Sequence, residues 1–481
     1  MMETMIKQEG LSFKDLEQEI FKNICELGRI VTVKVLEEYD SHLKTTRDRK
    51  AYRDKGYRQT TIKTVYGEVT YKRTVYETID EYGVRRYVYL LDKMLDLENV
   101  GLISENYAAL LVSEVTELSY RECAEKVTAM TGQSISAMGV WNVIQKLGEK
   151  VCEEEKQLVD NHKAGMIRGE REAPVLFEEA DGVWLDLQGK DRKARNFSKA
   201  EMKVGIAYDG WKDRGNGRYE LDGKVVTAGF GKASDFHKAM EASIAREYDL
   251  EKTDLRLLNG DGAPWIKKVP DKSTVFQLDP FHRNQAIREK IKDKLARKTI
   301  YEHLENRQID ELLEFLKVYR DSLPEEEWSI KAGELLEYFT NNRDGLLPYQ
   351  EQDIDIPESP DGLLYRNMGT MENHVSGIIA HRMKHRHGAW SIKGGNHLAK
   401  ILAKKHMGRL YEVTDQLRVP MFEKDRVESM LEEISGSILS ATKIAHKVGK
   451  GYEYPVAGHL AALDSAVTGD GRKRVLMAGY Q

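Results

Sequence analysis

Cysteine is scarce in this sequence. Cys25, Cys123 and Cys152 are odd in number and widely spaced, so neither a disulfide framework nor a zinc site fits them. A reducing cytoplasm is the compartment that follows. Long apolar runs are missing too: no stretch approaches the roughly 18 consecutive apolar residues of a membrane helix. The opening residues, MMETMIKQEGLSFKDLEQEIF, interleave charge with apolar side chains and lack the continuous apolar segment of a secretory signal. An excess of positive charge is absent as well, the formal net charge being −5. Taken alone, that counts mildly against a nucleic-acid partner, but local distribution matters more than the sum. Basic residues gather at 47–58 (RDRKAYRDKGYR), 290–298 (KIKDKLARK), 381–387 (HRMKHRH), 443–450 (KIAHKVGK) and 472–474 (RKR), while acidic residues gather at 325–327 and 351–355.

What is present is 481 residues of ordinary soluble composition, enough for roughly two to four domains. Phe13, Leu16, Ile20, Ile24, Leu27, Val31 and Val35 recur at spacings of three and four and predict one long helix. Its apolar face suits packing within its own domain or self-association. Residues 57–92 are rich in Thr, Val and Tyr, with turn signals at Tyr66-Gly67 and Tyr82-Gly83, and predict two or three antiparallel strands. Residues 104–150 read as helices. Within them a helix near 119–130, a Thr-Gly-Gln turn and a second helix capped by Ser134 or Ser136, with Val140, Ile144 and Leu147 inward, resemble a helix-turn-helix or a plain helical hairpin.

Beyond residue 170 the pattern changes to strands at 175–187, 203–208, 224–229, 254–259 and 274–278, with a helix at 234–248 between the third and fourth. This is an α/β sheet in which the first three strands pair as a meander and the later ones add beside the first. Residues 282–345 read as nearly all helix. A loop with Pro348, Pro357 and Pro360 follows, then a helix from about Met371, and a last helical stretch from 425 to about 449.

Three acidic positions stand out in this frame: Asp181 in FEEADGVWLDL, Asp261 in LLNGDGAPWI and Glu372 at the head of MENHVSGIIAHRMKHR. Adjacent first and fourth strands would bring the two aspartates to one edge, and the later helix could deliver the glutamate. Mg²⁺ takes hard oxygen ligands, and two ions held about 4 Å apart serve in-line phosphoryl displacement; Mn²⁺ would also suit such a site. Each residue has a simpler explanation: Asp-Gly is a turn dipeptide, and an acid at a helix start is favoured by the helix dipole. Asp279 and His282 in LDPFHRN form a further pair, able to orient one another or a phosphate, or simply to end a strand. Trp390 suits either base stacking or the core.

Together, YRDKGYRQTTIKTVYGEVTYKRTVY, FEEADGVWL, NGDGAPWI, LDPFHRN and MENHVSGIIAHRMKHRHGAWS resemble the Lre-type insertion-sequence transposases, a group sometimes classed only as an uncharacterised protein family, and more distantly the Mutator-type transposases. The resemblance spans nearly the whole chain. It implies a ribonuclease H-like catalytic core (170–282 and 366–425) interrupted by an all-helical insertion (283–365). Ahead of the core it implies an N-terminal, mostly helical DNA-binding region made of a helix (1–50), a small β-rich segment (51–98) and the helix-turn-helix-like unit (99–160); a helical tail (426–481) follows. Asp181, Asp261 and Glu372 match the catalytic, metal-holding triad, with Glu351 and Glu358 as alternatives for the third ligand, and Asp279 and His282 match an accessory Cys/Asp-x-x-His pattern. The implied activity is metal-dependent cleavage and strand transfer at transposon ends, acting on double-stranded DNA, usually as a homo-oligomer, in the cytoplasm, with two Mg²⁺ ions. The alternatives are a non-catalytic DNA-binding regulator or architectural protein derived from a transposase, and a nuclease on the same core.

Overall fold

The computed structural model describes residues 12–95, 102–195, 197–268, 273–386, 388–415 and 424–433. The basic clusters at 443–450 and 472–474, and most of the expected C-terminal tail, lie outside the described residues. The chain divides into two compact units, Met1–Val35 with Met421–Gln481, and Leu36–Pro420. The first holds most of helix α1 (Phe13–Thr46) and the helical residues 424–433, joined by an ion pair between Lys34 and Glu433 at 2.9 Å. Phe13, Leu16, Ile20, Phe21 and Ile24 of α1 are exposed. No helix among the described residues is long and apolar enough to cross a membrane.

The second unit opens with an antiparallel meander of β1 (Arg53–Thr64), β2 (Gly67–Ile79) and β3 (Arg85–Val88). Buried Asp40 on α1 accepts hydrogen bonds from the backbone N–H and hydroxyl of Thr74, fastening the C-terminal part of the helix to β2. Helices α2 (Glu105–Val115), α3 (Tyr120–Thr131) and α4 (Ala137–Lys163) follow. Ser119 and Glu122 form a reciprocal capping box at the start of α3, Gly132 ends it at φ 68°, and Ser136 caps α4. Val140, Ile144 and Leu147 point inward and are fully buried. The second helix of this hairpin runs 27 residues, far past the turn, because its lower half packs on the rest of the unit.

The unit is centred on a mixed sheet of β4 (Val175–Leu187), β5 (Lys199–Tyr208), β8 (Val225–Gly229), β9 (Leu255–Gly260) and β10 (Val275–Leu278), in the order β10-β9-β4-β5-β8. β9 and β10 run parallel to β4, while β5 is antiparallel to both β4 and β8. Helix α5 (Ala233–Glu247) connects β8 to β9. A small hairpin, β6 (Gly210–Asp213) with β7 (Tyr219–Asp222), and a two-residue strand, β11 (Ala389–Trp390), complete the strands among the described residues. Both are elements that sequence periodicity does not predict, because each is too short to show alternation.

Alternation along β4 explains where the site can form. Phe177, Val183 and Leu185 face one core with α2–α4, so Glu179 and Asp181, at the same parity, face it too. Phe177 anchors this layer by stacking on Tyr208 at 5.5 Å and meeting Trp211, Tyr349 and Tyr365 edge-on. After β10, helices α6 (Pro280–Lys290), α7 (Lys294–Glu305), α8 (Ile309–Ser322) and α9 (Glu326–Asn341) form a subdomain with its own core around Ile300, Leu312, Leu316, Leu335 and Phe339. The chain returns through the 342–370 loop, where Trp211 and Leu364 exchange backbone hydrogen bonds. It then enters α10 (Met371–Val375), which continues through a π turn at Ser376–Ala380 into His381–Met383. Helix α11 (Ile392–His406) crosses α4 at Gly148, where an added Cβ would stand 2.4 Å from that of His397.

His406, at the end of α11, is held neutral. Burial, with the charges of Lys224, Lys405 and His374 behind it, lowers its pKa from 6.5 to about 4. The unfolded chain therefore takes up this proton first as pH falls, so stability is complete above about 6.5 and is lost from there down toward about 4. The melting temperature should drop across that window, and His406→Gln should flatten the drop; an unchanged profile in the variant would show that other groups carry it.

Candidate active site

The register of the sheet sets the site. Ala180 of β4 pairs with Gly260 of β9, and Gly260 pairs with Leu278 of β10. Asp181, Asp261 and Asp279 are the next residues of their strands, at one level, where parallel strands of an open α/β sheet commonly receive ligands. Two residues earlier in each strand sit Glu179, Asn259 and Gln277. The sequence thus carries a polar-x-Asp pattern three times, a period-two signal that marks a shared face. Sequence reasoning singled out the aspartates and missed the inner row.

The inner row is a buried hydrogen-bonded relay. Gln277 donates to Asn259 at 3.0 Å, and Asn259 donates to Glu179 at 3.0 Å and to Asp279 at 2.7 Å. Glu179, fully buried, also accepts from the Tyr208 hydroxyl at 2.7 Å, the Thr370 hydroxyl at 2.6 Å and the backbone N–H groups of Gly369 and Thr370 at 3.0 and 2.9 Å. Gly369 holds φ 113°, a conformation that favours glycine. Since Thr370 is two residues before Glu372, this carboxylate positions the head of α10 against β4.

The outer row converges. One ligand atom each from Asp181, His282 and Glu372 lie within 4.8 Å of one another. His282 Nε2 stands 3.7 Å from Asp181 Oδ2, and that carboxylate pulls the imidazole pKa above its usual value against the opposing effect of burial. Asp181 itself accepts the Gly182 N–H at 2.7 Å. Asp261 stands beside the cluster. Burial raises its carboxyl pKa and the negative charge of Asp181 pushes it further, while the Ala263 N–H at 2.8 Å resists. The Asp261 loop is braced by the helical subdomain: Tyr338 of α9 donates to the Asp261 carbonyl at 2.7 Å, and Gly262 at φ 84° leaves room for Asn342.

Asp279 plays a different part from His282. It is buried and caps α6, accepting from the N–H groups of Phe281 and His282 at 2.8 and 3.3 Å, so it belongs to the inner relay and aims the helix that carries His282. Glu351 pairs with Arg307 at 3.5 Å, and Glu358 lies exposed in the loop. Trp390 is buried and donates its indole N–H to the Met383 carbonyl at 2.9 Å.

Two carboxylates and an imidazole at these distances, with a third carboxylate alongside, fit a divalent cation. The carboxylates suit Mg²⁺ or Mn²⁺, and an imidazole among them favours Mn²⁺. Mn²⁺ at about 100 times its dissociation constant should stabilise the chain by about 2.7 kcal/mol, read as a rise in melting temperature that Asp181→Asn and Glu372→Gln each remove. An equal rise in those variants would place the ion elsewhere. Glu179→Leu, which strands buried donors without touching the outer row, should cost about 3–5 kcal/mol of stability in denaturant titration; a loss under about 1 kcal/mol would show that the relay is not what holds α10.

A family model described as an uncharacterised protein family, UPF0236, matches residues 6–417. A UPF0236 protein of Caldanaerobacter subterraneus subsp. tengcongensis is 27% identical over 419 residues, covering 84% of this chain and 80% of the relative. Another from that organism is 27% identical over 415 residues, with 84% and 80% covered. A protein of Streptococcus gallolyticus named as the UPF0236 protein in the vanSb 3′ region is 22% identical over 357 residues, 73% of each chain. With about six-sevenths of its length under the family model, this chain belongs to the uncharacterised protein family UPF0236.

Proposed function

We propose that this chain is a DDE-type transposase that cuts and joins DNA strands with divalent metal ions held by Asp181, Asp261 and Glu372. The observation that carries the reading is the convergence of Asp181, Glu372 and His282 within 4.8 Å, with Asp261 at the same level on the neighbouring strand. The order and directions of the sheet support it. Numbered along the sheet's own strands, the order is 5-4-1-2-3 with only the second strand reversed, which is the arrangement of a ribonuclease H-like core. In this reading the helical subdomain between Asp261 and Glu372 corresponds to the all-helical insertion of Mutator-like enzymes. The name of one relative joins eleven locus labels of a single genome, the distribution of a mobile element.

In this reading Asp181, rigid within β4, would hold divalent ions together with Asp261 and Glu372. Such ions would supply activation of the attacking oxygen and stabilisation of the leaving oxygen in an in-line displacement at phosphorus. The remaining work belongs to the chain. Tyr338 and Asn342 hold the Asp261 loop, the Glu179 relay holds α10, and the Asp279 cap aims His282 toward Asp181. No protein nucleophile is required. Double-stranded DNA is the substrate, the helix-turn-helix-like unit and the basic clusters are its contacts, and the exposed apolar face of α1 suits assembly of a homo-oligomer.

The test is Mg²⁺- or Mn²⁺-dependent cleavage of a duplex carrying the sequence that flanks the gene. Asp181→Asn should reduce cleavage by about a hundredfold or more while end binding persists. Cleavage by the variant at the wild-type rate would overturn the site assignment. Binding without any metal-dependent cleavage by the wild-type chain would identify a non-catalytic DNA-binding regulator.

A further inference from the structure

The basic run at 381–387 contains a residue that the catalytic reading does not use. Arg382 sits just past the π turn and is 5% exposed. Its Nε donates to the Val115 carbonyl at 2.8 Å, and its guanidinium lies over the rings of Tyr120 and Trp390 at 5.7 and 5.5 Å. Its Nη2, also buried, finds no hydrogen-bond partner among the described residues. Burial lowers the pKa of this group and neighbouring Arg386 adds to that, while Tyr120 and Glu122 oppose it; no ion pair to it forms among the described residues. A buried charge of that kind is costly unless something pairs with it.

Arg382 lines a cavity of about 260 Å³ together with Arg386, Gln188, Trp141 and Ser391, and no carboxylate lines it. Arg386 at the rim pairs with Glu122 at 3.5 Å. The cavity lies at the start of α11, where the Ile392 N–H is bonded to the Asp191 carboxylate at 2.7 Å and the Gly394 N–H to the Ser391 hydroxyl at 3.1 Å. Trp141, Ser391 and Gly394 also line a second, larger groove of about 1030 Å³, so the two share a wall. Lys63, Lys146 and Lys393 line that groove, and Glu68 and Glu149 in it are engaged by Lys63 and Lys393 at 3.5 and 2.7 Å. A second unpartnered group faces the groove: His397, 4% exposed, whose Nδ1 has no partner among the described residues.

We infer that the Arg382 cavity is an anion site for a backbone phosphate of DNA, and that the groove beyond it carries the strand onward past Lys146 and Lys393. The inference rests on the DNA-processing reading and adds to it a specific contact for the substrate. A guanidinium with a free N–H edge and a second arginine at the rim are the donors that hold a phosphodiester. The position is suitable. β11 pairs beside Leu187, six positions along β4 from Asp181, so the cavity lies about 20 Å from the metal-holding level. That is about six base pairs of duplex from the scissile phosphate.

The test measures affinity for labelled DNA in the Asp181→Asn chain without divalent metal, using one duplex with the gene's flanking sequence and one scrambled duplex, across a salt series. Arg382→Gln should weaken both about tenfold or more and lower the salt slope by about 1. Because Arg382 also braces α2, Gln188→Glu is the second variant. It sets a carboxylate on the exposed rim without disturbing the buried guanidinium, and should weaken both duplexes similarly. Unchanged affinity and slope in both variants would overturn the inference while leaving the catalytic reading standing. Arg382-dependent binding by a chain that never cuts would sustain the inference and defeat the catalytic reading, and absence of DNA binding by the parent chain would defeat both.

Discussion

The carboxylate of Glu179 takes no part in the convergent cluster, yet the cluster is organised around it. Sealed from water on β4, it receives five hydrogen bonds, from Tyr208 on β5, Asn259 on β9 and the Gly369–Thr370 turn. Desolvating a carboxylate costs several kcal/mol, and only a full set of donors offsets that. Those donors come from segments as much as 191 residues away, so satisfying one buried charge fixes where α10 meets the sheet. Gln277 and Asp279 extend the same row to β10 and to the cap of α6. Glu372 and His282, which arrive from different parts of the chain, are both placed by this inner row.

The outer row then follows from two residues of alternation. Asp181 and Asp261 emerge at one level because their strands are parallel neighbours in register. Burial raises the carboxyl pKa of Asp261 and repulsion by Asp181 adds to it; that repulsion is opposed in part by His282 and would be relieved more fully by a divalent cation. Rigidity below and negative charge above are the two properties a metal-holding site needs: an inner row satisfied without the ion, and an outer row that is not. The helical subdomain contributes through Tyr338 and Asn342, which contact the Asp261 loop directly, so it buttresses the site as well as separating its parts in sequence.

Much of this was legible in the sequence, for identifiable reasons. The strand over 175–187 and the helix near 234–248 come from long periodic stretches, and Ser119, Gly132 and Ser136 mark their helix boundaries by side-chain chemistry. Asp181, in a strand pattern, Asp261, just past one, and Glu372, at a helix start, stood out as acids by their context. The β6–β7 hairpin, β11 and the π turn were not legible, since each is short and defined by tertiary partners: Trp211 by Leu364, Trp390 by Leu187. Asp279 reads in sequence as a partner of His282 in the site, whereas its side chain faces the relay and the cap. The unpaired charge of Arg382 was hidden as well, because a basic run in sequence looks the same whether its members are solvated or buried.

The most direct test of the central claim is to locate Mn²⁺ by anomalous scattering in crystals grown with the ion. The account predicts two peaks about 4 Å apart, one bounded by Asp181 and Asp261 and the other by Asp181 and Glu372, with the Glu179 relay undisturbed beneath them. Ordered Mn²⁺ bound elsewhere, with Asp181 and Asp261 free of metal, would contradict it.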